Sequence, residues 1–322
     1  MKKTAEKILV ISALVLLLFC VLCGCGGKDV EKSAQSGGVC IVTTVFPQYD
    51  FARKITAGTD ADITMLIKPG SEAHSYDPTP ADMVKISGCD LFVEVGGESE
   101  AWAEKVISAA ALDTSKVLSL METVSLLCEE EGIEHEEHSH GDDGEEEEYD
   151  EHVWTSPKNA IMIVKEMTER ISALDRENEK LYRENAEAYL EELSRLDADF
   201  DALGKKAEGK TLIFGDRFPF LYLARAYGFE YRSAFSGCSA QTEASVATVC
   251  TLIDLAKEAD AKVIFAVDFS NGKIAQTIAS EVGAKVSYLY SGHNIAASDM
   301  EKGVGYLELM RQNLDRIAEA LE

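Results

Sequence analysis

Residues 39–57 have the sequence VCIVTTVFPQYDFARKITA. The first seven are mostly β-branched, which predicts a strand, and residues 46–57 are a helix candidate. Further strand candidates at 63–67 and 91–95 alternate with helix candidates at 79–87 and about 100–111. Because strands that alternate with helices are joined by right-handed crossovers, this pattern predicts a mostly parallel sheet.

The same alternation returns after residue 209, with strand candidates at 211–214, 231–235, 263–267 and 285–290 and helix candidates at 218–227, 245–259, 274–282 and 303–321. Between the two regions, Pro157 opens a long helical region that ends near Lys206, with Leu174-Asp175 as a candidate interruption. We therefore predict the α/β class, with two parallel-sheet α/β lobes bridged by one long rigid helix. Ligands of such folds bind at strand ends, here in the interlobe cleft.

The N-terminus has the parts of an export signal. Three lysines lie within the first seven residues, residues 13–23 are an unbroken apolar run, and Leu22-Cys23-Gly24-Cys25 ends it. The run is shorter than the ~20 apolar residues of a membrane-spanning helix and fits the apolar region of a signal peptide. Its end resembles a bacterial lipobox, which implies lipidation of Cys25. The alternatives are an ordinary signal peptide cleaved nearby and an uncut membrane anchor.

These features divide the chain into a lipoprotein signal peptide (1–24), a flexible tether (25–38), an N-terminal α/β lobe (39–155), a bridging helical region (156–207) and a C-terminal α/β lobe (208–322). Within the first lobe, residues 129–151 are mostly acidic and include three histidines. Such a composition cannot form a core, so we expect a mobile loop there.

The composition excludes some classes of function. The formal net charge is −26 at pH 7, which disfavours nucleic acid and anionic lipid as partners and is compatible with a cationic ligand. The cysteines beyond the lipobox are Cys40, Cys89, Cys128, Cys238 and Cys250, without a CxxC spacing. An odd number excludes a complete disulfide framework, and the spacing gives a thiolate zinc site little support. We expect most of them to be small buried hydrophobic residues.

The six histidines carry the chemistry of the chain, and they all lie outside the predicted helices and strands. His74 follows the strand candidate 63–67, and His152 precedes the helical region in Asp150-Glu151-His152-Val153-Trp154-Thr155-Ser156-Pro157. Imidazole is the commonest protein ligand of borderline metals, and binding groups concentrate in loops on a rigid scaffold. Taken singly, each could instead be a loop histidine bonded to a backbone carbonyl.

Together, the segments around His74 and His152 resemble the two histidine motifs of the zinc- and manganese-type metal-binding solute receptors of ABC transporters. The order of the motifs and their separation match that family over most of the chain. The resemblance implies that both histidines ligate a divalent metal ion. It also implies a lipid-anchored receptor on the extracytoplasmic face of the cell membrane, with an ABC transporter permease as partner.

The sequence departs from the family pattern at the two remaining ligand positions. Tyr222, Tyr227 and Gly228 match the frame of the third motif, but Arg217 occupies its ligand position, and a guanidinium cannot ligate a cation. The neighbouring Asp216 is then the candidate oxygen ligand, or it only caps the following helix.

The fourth family ligand, usually an aspartate, follows the last strand, where His293 is the candidate. Glu243 is a candidate ligand or a residue that supports the ligands, or simply an acid near a helix N-terminus.

His135, His138 and His140 lie among carboxylates in the acidic segment. This stretch resembles the histidine-rich loop of the zinc-type members and favours zinc over manganese. We expect it to collect metal weakly and not to form the tight site.

The sequence therefore predicts a monomeric zinc receptor that delivers metal to a permease, with His74, His152, His293 and Asp216 as ligands. A manganese receptor and a surface adhesin on the same fold are the alternatives. A receptor for a non-metal ligand is kept open by Arg217. An enzyme is disfavoured because neither HExxH nor G-x-S-x-G is present.

Overall fold

Two four-stranded parallel sheets organise the chain, each with the same strand order. The computed structural model describes residues 37–71, 76–130, 132–133, 148–239 and 243–322. The strands of the first sheet are β1 (Cys40–Thr43), β2 (Asp62–Met65), β3 (Leu91–Glu94) and β4 (Val117–Ser119), in the order β2-β1-β3-β4. Its helices are α1 (Phe46–Ile55), α2 (Pro80–Gly88) and α3 (Ala101–Ala109).

The second sheet repeats this arrangement. Its strands are β5 (Thr211–Phe214), β6 (Glu230–Ser233), β7 (Val263–Val267) and β8 (Lys285–Leu289), in the order β6-β5-β7-β8. The helices of this half are α6 (Leu221–Tyr227), α7 (Val246–Glu258), α8 (Lys273–Val282), α9 (Ala297–Glu301) and α10 (Tyr306–Ala320). The prediction of two parallel α/β lobes is confirmed. The sequence pattern missed β4 and α9, which are too short to show a clear period.

The predicted helical region consists of two helices, α4 (Pro157–Leu174) and α5 (Glu179–Lys206). The break falls at Asp175, whose carboxylate accepts hydrogen bonds from the Asn178 side chain (2.9 Å) and the Tyr182 hydroxyl (2.6 Å). The 28 residues of α5 span about 42 Å. This helix packs against α1 in the first half and against α6 and α10 in the second. That a single rigid helix bridges the lobes stays a prediction.

A buried polar network joins residues 150–157 to the second half of the chain. The Trp154 indole donates a hydrogen bond to the Ser291 carbonyl (2.9 Å), and the Tyr306 hydroxyl donates one to the Trp154 carbonyl (2.7 Å). The Tyr306 amide in turn donates to Asp50 on α1 (2.9 Å). Trp154 and Tyr306 are fully buried. These contacts fix the position of the neighbouring His152.

The acidic segment is packed at both ends, unlike the mobile loop expected over all of 129–151. Cys128 and Tyr149 form an isolated antiparallel bridge, and Asp150 and Glu151 are buried. Glu129 accepts a hydrogen bond from the Cys238 amide (2.7 Å). His135, His138 and His140 lie outside the described residues, as do the signal peptide, Cys25 and His74.

The cysteines also differ from expectation. The five that the structure describes form no disulfide, and of these only Cys89 is buried. Among the described residues, no helix has both the length and the apolar character needed to cross a membrane.

Candidate metal centre

A small cavity lies where the loops after the strands of both sheets meet. Its volume is 40 Å³. It is lined by Ser71, His152, Arg217, Pro219, Gly237, Val267, Asp268, Phe269, Ser291, His293 and Asn294. Larger cavities of 660 Å³ and 580 Å³ lie between α4 and α5 and beside α6, but their described linings contain no histidine. The chemistry therefore points to the small cavity, which has room for an ion and a compact co-ligand.

The topology explains why these residues meet. Arg217 follows β5, Asp268 follows β7, and His293 follows β8. The carboxyl ends of parallel strands lie at one edge of a sheet, so side chains that follow different strands converge there. Asn294 closes the site toward the first half, because its side-chain amide donates to the carbonyls of Lys68 (2.9 Å) and Ser71 (2.6 Å).

His152 is held in one orientation by a carboxylate. Its side chain is 1% exposed, and its Nδ1 lies 3.2 Å from Asp150 Oδ1, which also accepts the His152 backbone N–H (2.8 Å). A carboxylate acceptor places the imidazole proton on Nδ1 and leaves the ring lone pair on Nε2. A carboxylate that orients a ligating histidine in this way is a common feature of metal sites in proteins.

His293 lies against His152 although the two are far apart in the sequence. Their ring centroids are 5.4 Å apart with perpendicular planes, and the Trp154 ring is 5.0 Å from His293. The His293 carbonyl accepts a hydrogen bond from the Phe46 amide (3.3 Å), which ties its loop to the start of α1. Two imidazoles held against a rigid indole at the edge of one cavity are suited to bind a borderline metal such as zinc.

Asp268 is a site residue that the sequence analysis did not single out. It lines the cavity, and its Oδ1 accepts a hydrogen bond from the Ser291 amide (2.8 Å). Burial raises the pKa of Asp268 to about 6, although the Ser291 donors and the charge of Arg217 act in the opposite direction. Its place directly after β7 is the signal that could have identified it.

Arg217 also lines the cavity and is half-buried. Its Nη1 lies 3.5 Å from the Ser239 carbonyl. The tyrosine that completes the same sequence frame supports the histidine loop, because the Tyr222 hydroxyl donates to the Asp150 carbonyl (2.9 Å). The third motif thus contributes a cation to the cavity lining and a tyrosine that supports the loop of His152.

Residues 41–320 match the family model described as the periplasmic component A of the zinc-uptake complex. The chain belongs to this family. It is 36% identical over 311 residues to the high-affinity zinc uptake system protein ZnuA of Bacillus subtilis, covering 94% of each chain.

Solved structures of family members share the fold. The metal-dependent lipoprotein YcdH of Bacillus subtilis matches with a TM-score of 0.73 at 31% identity, over 88% of this chain and 100% of that one. The Zn(II)-bound ZnuA-like domain of Streptococcus pneumoniae AdcA matches with a TM-score of 0.72 at 26% identity, over 88% of this chain and 99% of that domain. The two-lobe α/β architecture is therefore that of the zinc-uptake component A family.

In this family member, Asp216 lies beside the cavity without lining it. Its side chain is 8% exposed, and it accepts hydrogen bonds from the Arg217 amide (2.9 Å), the Val267 amide (3.3 Å) and the Ser270 hydroxyl. The carboxylate thus ties the loop after β5 to the loop after β7. These bonds hold its oxygens toward the two loops, whereas the sequence led us to expect an oxygen ligand in the cavity.

Glu243 is exposed and is not among the residues that line the cavity. Cys238, in contrast, lies close to it, with its Sγ 4.0 Å from His152 Nδ1. Burial and the neighbouring Asp150 raise the pKa of this thiol far above its usual range. The thiol of Cys238 therefore stays protonated. It packs beside the Nδ1 edge of the His152 ring, the same edge that faces Asp150. Among the residues that the structure describes, no group of three or more His, Cys, Asp or Glu side chains is arranged to hold a metal ion.

Proposed function

We propose that the chain is an extracytoplasmic receptor that binds zinc in this cavity and delivers it to an ABC-type permease for uptake. The observation that carries the proposal is the pair formed by His152 and His293, with Asp150 orienting the His152 ring. Membership of the zinc-uptake component A family and the zinc-binding relatives support it. Such a receptor binds and releases its cargo without chemical change, so we infer no enzymatic activity.

The proposed ligands are the imidazoles of His152 and His293, a third imidazole from His74, and an oxygen of Asp268. The assignment of His74 rests on its sequence motif. Asp268 is preferred to Asp216 because it lines the cavity, whereas the Asp216 oxygens accept bonds from Arg217, Val267 and Ser270. Three nitrogens and one oxygen would give zinc the four-coordination that it adopts in closed protein sites.

The metal is proposed to be zinc and not manganese. Imidazole-rich sites suit zinc, whereas manganese is better served by carboxylate, carbonyl and water oxygens. We also propose that Cys25 carries the lipid that anchors the mature, monomeric chain to the outer face of the cell membrane. The name of the neighbour YcdH, a metal-dependent lipoprotein, supports the anchor.

The decisive experiment is a zinc titration of the chain without its predicted signal peptide, in competition with a chelator of known affinity. We expect one tight equivalent of zinc, much weaker binding of manganese, and loss of the tight equivalent in His152→Ala. Tight zinc binding that persists in both His152→Ala and His293→Ala would overturn the assignment of the site. Delivery to the permease is tested by the uptake of radioactive zinc in cells that lack the gene.

A further inference from the structure

Arg217 carries a permanent positive charge into the cavity. In the sequence it occupies the position that matches the ligand of the third family motif. Arg217 lines the cavity together with His152, His293 and Asp268. A guanidinium stays protonated in proteins, offers five N–H donors and has no lone pair for a metal. It therefore repels a dication, and a cavity that holds both charges needs more negative charge than neutral imidazoles supply.

The contacts of Arg217 do not use its charge fully. In the described part of the chain its guanidinium has one hydrogen bond, a long one of 3.5 Å to the neutral carbonyl of Ser239. The described residues form no ion pair with it, although sixteen other ion pairs involve a lysine or arginine. Its paired N–H groups are thus available to an acceptor in the cavity.

The buried carboxylate that lines the same cavity does not meet this need. Asp268 is bonded to the Ser291 amide (2.8 Å), which holds its Oδ1 toward the loop that carries His293. It lowers the electrostatic cost of Arg217 from a distance without forming an ion pair with it. Because Asp268 is the one carboxylate among the described lining residues, a dication and a guanidinium in this cavity favour a second anion between them.

We propose that the receptor takes its metal together with a small carboxylate-type anion. One oxygen of the anion ligates the zinc as a fifth ligand beside the four proposed protein ligands, an expansion that zinc tolerates. The anion also accepts paired hydrogen bonds from Arg217, a geometry that a guanidinium fork favours. The proposal rests on the proposed function and specifies its cargo further.

The dimensions of the site limit the anion. The cavity of 40 Å³ holds an ion and a group of a few atoms. Carbonate fits as a whole, whereas a larger organic chelator would insert one carboxylate and leave its remainder at the mouth. Phe269 lies at the cavity with 55% of its surface exposed and with φ at +62°, a conformation that costs a non-glycine residue energy. An exposed ring there could cover such a remainder.

The test measures zinc affinity at fixed free zinc, set by a chelator buffer, since anions also bind zinc in solution. Chloride alone, bicarbonate and citrate are compared at one pH and ionic strength. For the wild type we expect zinc to bind at least ~10-fold more tightly with bicarbonate or citrate than with chloride. Enhancement by bicarbonate alone identifies an inorganic anion, and enhancement by citrate alone identifies an organic carboxylate.

Two substitutions make the test specific. Arg217→Gln should abolish the enhancement, and Arg217→His, which supplies an imidazole in place of the guanidinium, should bind zinc tightly in chloride alone. Arg225→Gln, at an exposed arginine paired with Glu130, is the matched control and should keep the enhancement.

Equal wild-type affinities in all three media would overturn the proposal, as would an enhancement that survives Arg217→Gln. Thermal unfolding of each variant checks that it is folded. If zinc does not bind tightly in any medium, the proposed function itself fails, which is a separate outcome.

Discussion

The two lobes share one strand order but use the carboxyl edge of their sheets differently. In the first lobe, Glu100 accepts hydrogen bonds from the amides of Val95 (2.7 Å) and Gly96 (3.4 Å), just beyond β3. In the second lobe, Asp216 accepts hydrogen bonds from the amides of Arg217 and Val267, beyond β5 and at the end of β7. Each lobe thus has one buried acid, Glu100 or Asp216, whose hydrogen bonds hold loops against its sheet. We call these two residues the fastening acids.

Among the described residues, most of the polar side chains that line the cavity follow strands of the second sheet. Arg217, Asp268 and His293 all line the cavity, whereas Ser71 is the one described residue of the first sheet's loops that does so. The comparison teaches that a buried acid at a strand end is not in itself a ligand. Its hydrogen-bond partners decide whether it holds the fold or faces the cargo.

The largest effect should come from removing an imidazole. His152→Ala is expected to weaken zinc binding by about 100-fold or more, since even changes to residues that support a metal ligand cost 10–100-fold. Competition with a chelator measures the change. His135→Ala, in the acidic segment, is the control and should leave the tight equivalent intact. Equal losses in the two variants would place the tight site elsewhere.

Replacing each of the two acids of the second lobe by asparagine, in separate variants, tests the comparison directly. Asp268→Asn should weaken zinc binding by about 10-fold, with little change in thermal stability. Asp216→Asn should lower the free energy of unfolding by about 1–3 kcal/mol, because amide donors in the buried loops lose a charged acceptor. Its zinc affinity should fall less than that of Asp268→Asn.

Affinity and the midpoint of thermal unfolding are measured for both proteins under one set of conditions. The opposite pattern, with affinity lost in Asp216→Asn and stability lost in Asp268→Asn, would restore Asp216 as the ligand.

A smaller effect is expected from the residue behind His152. Asp150→Asn keeps the size of the side chain but weakens the acceptor of the Nδ1 proton, so the ring loses its fixed orientation. Zinc affinity should fall by about 10-fold, the lower end of the range for such residues. Glu151→Gln is a neighbouring control, because the Glu151 carboxylate accepts from the Ser99 amide (2.9 Å) and not from the histidine ring. A comparable loss in both variants would mean that the loop, and not the imidazole, was disturbed.

The sequence was sufficient for the two parallel α/β lobes, and it singled out three of the residues that line the cavity, His152, Arg217 and His293. Strands β5 and β7 were predicted at their observed bounds, because each is a β-branched or aromatic run that ends where polar residues begin. Asp216 and Asp268 could not be told apart in this way, since Asp268 directly follows β7 and Asp216 follows β5 after a single glycine. Which carboxylate faces the cavity depends on turns that bring Arg217, Val267 and Ser270 around one of them, and those contacts are set by tertiary packing.

The smallest effect on zinc, and the clearest on stability, should come from the fastening acid of the first lobe. Burial raises the pKa of Glu100 to about 8, above its ordinary value of 4.5, despite the opposing donors from Thr44, Val95 and Gly96. The folded protein therefore binds this proton more tightly than the unfolded chain. By linkage, the stabilisation is complete below about pH 4.5 and is lost as the pH rises toward 8.

Glu100→Gln removes this titration while keeping the shape of the side chain. We expect the free energy of unfolding of the variant to differ little from that of the wild type at pH 5. At pH 9 it should be larger by about 1 kcal/mol or more, since one pKa unit corresponds to about 1.4 kcal/mol. Denaturant unfolding at the two pH values measures the difference between the proteins, which cancels the contribution of other groups such as Glu94. Glu98→Gln, at an exposed position two residues away, should show no such pH dependence. If the two proteins differ by the same free energy of unfolding at both pH values, Glu100 is ionised in the folded protein across this range. The contrast between the two lobes would then rest on the residues that line the cavity alone.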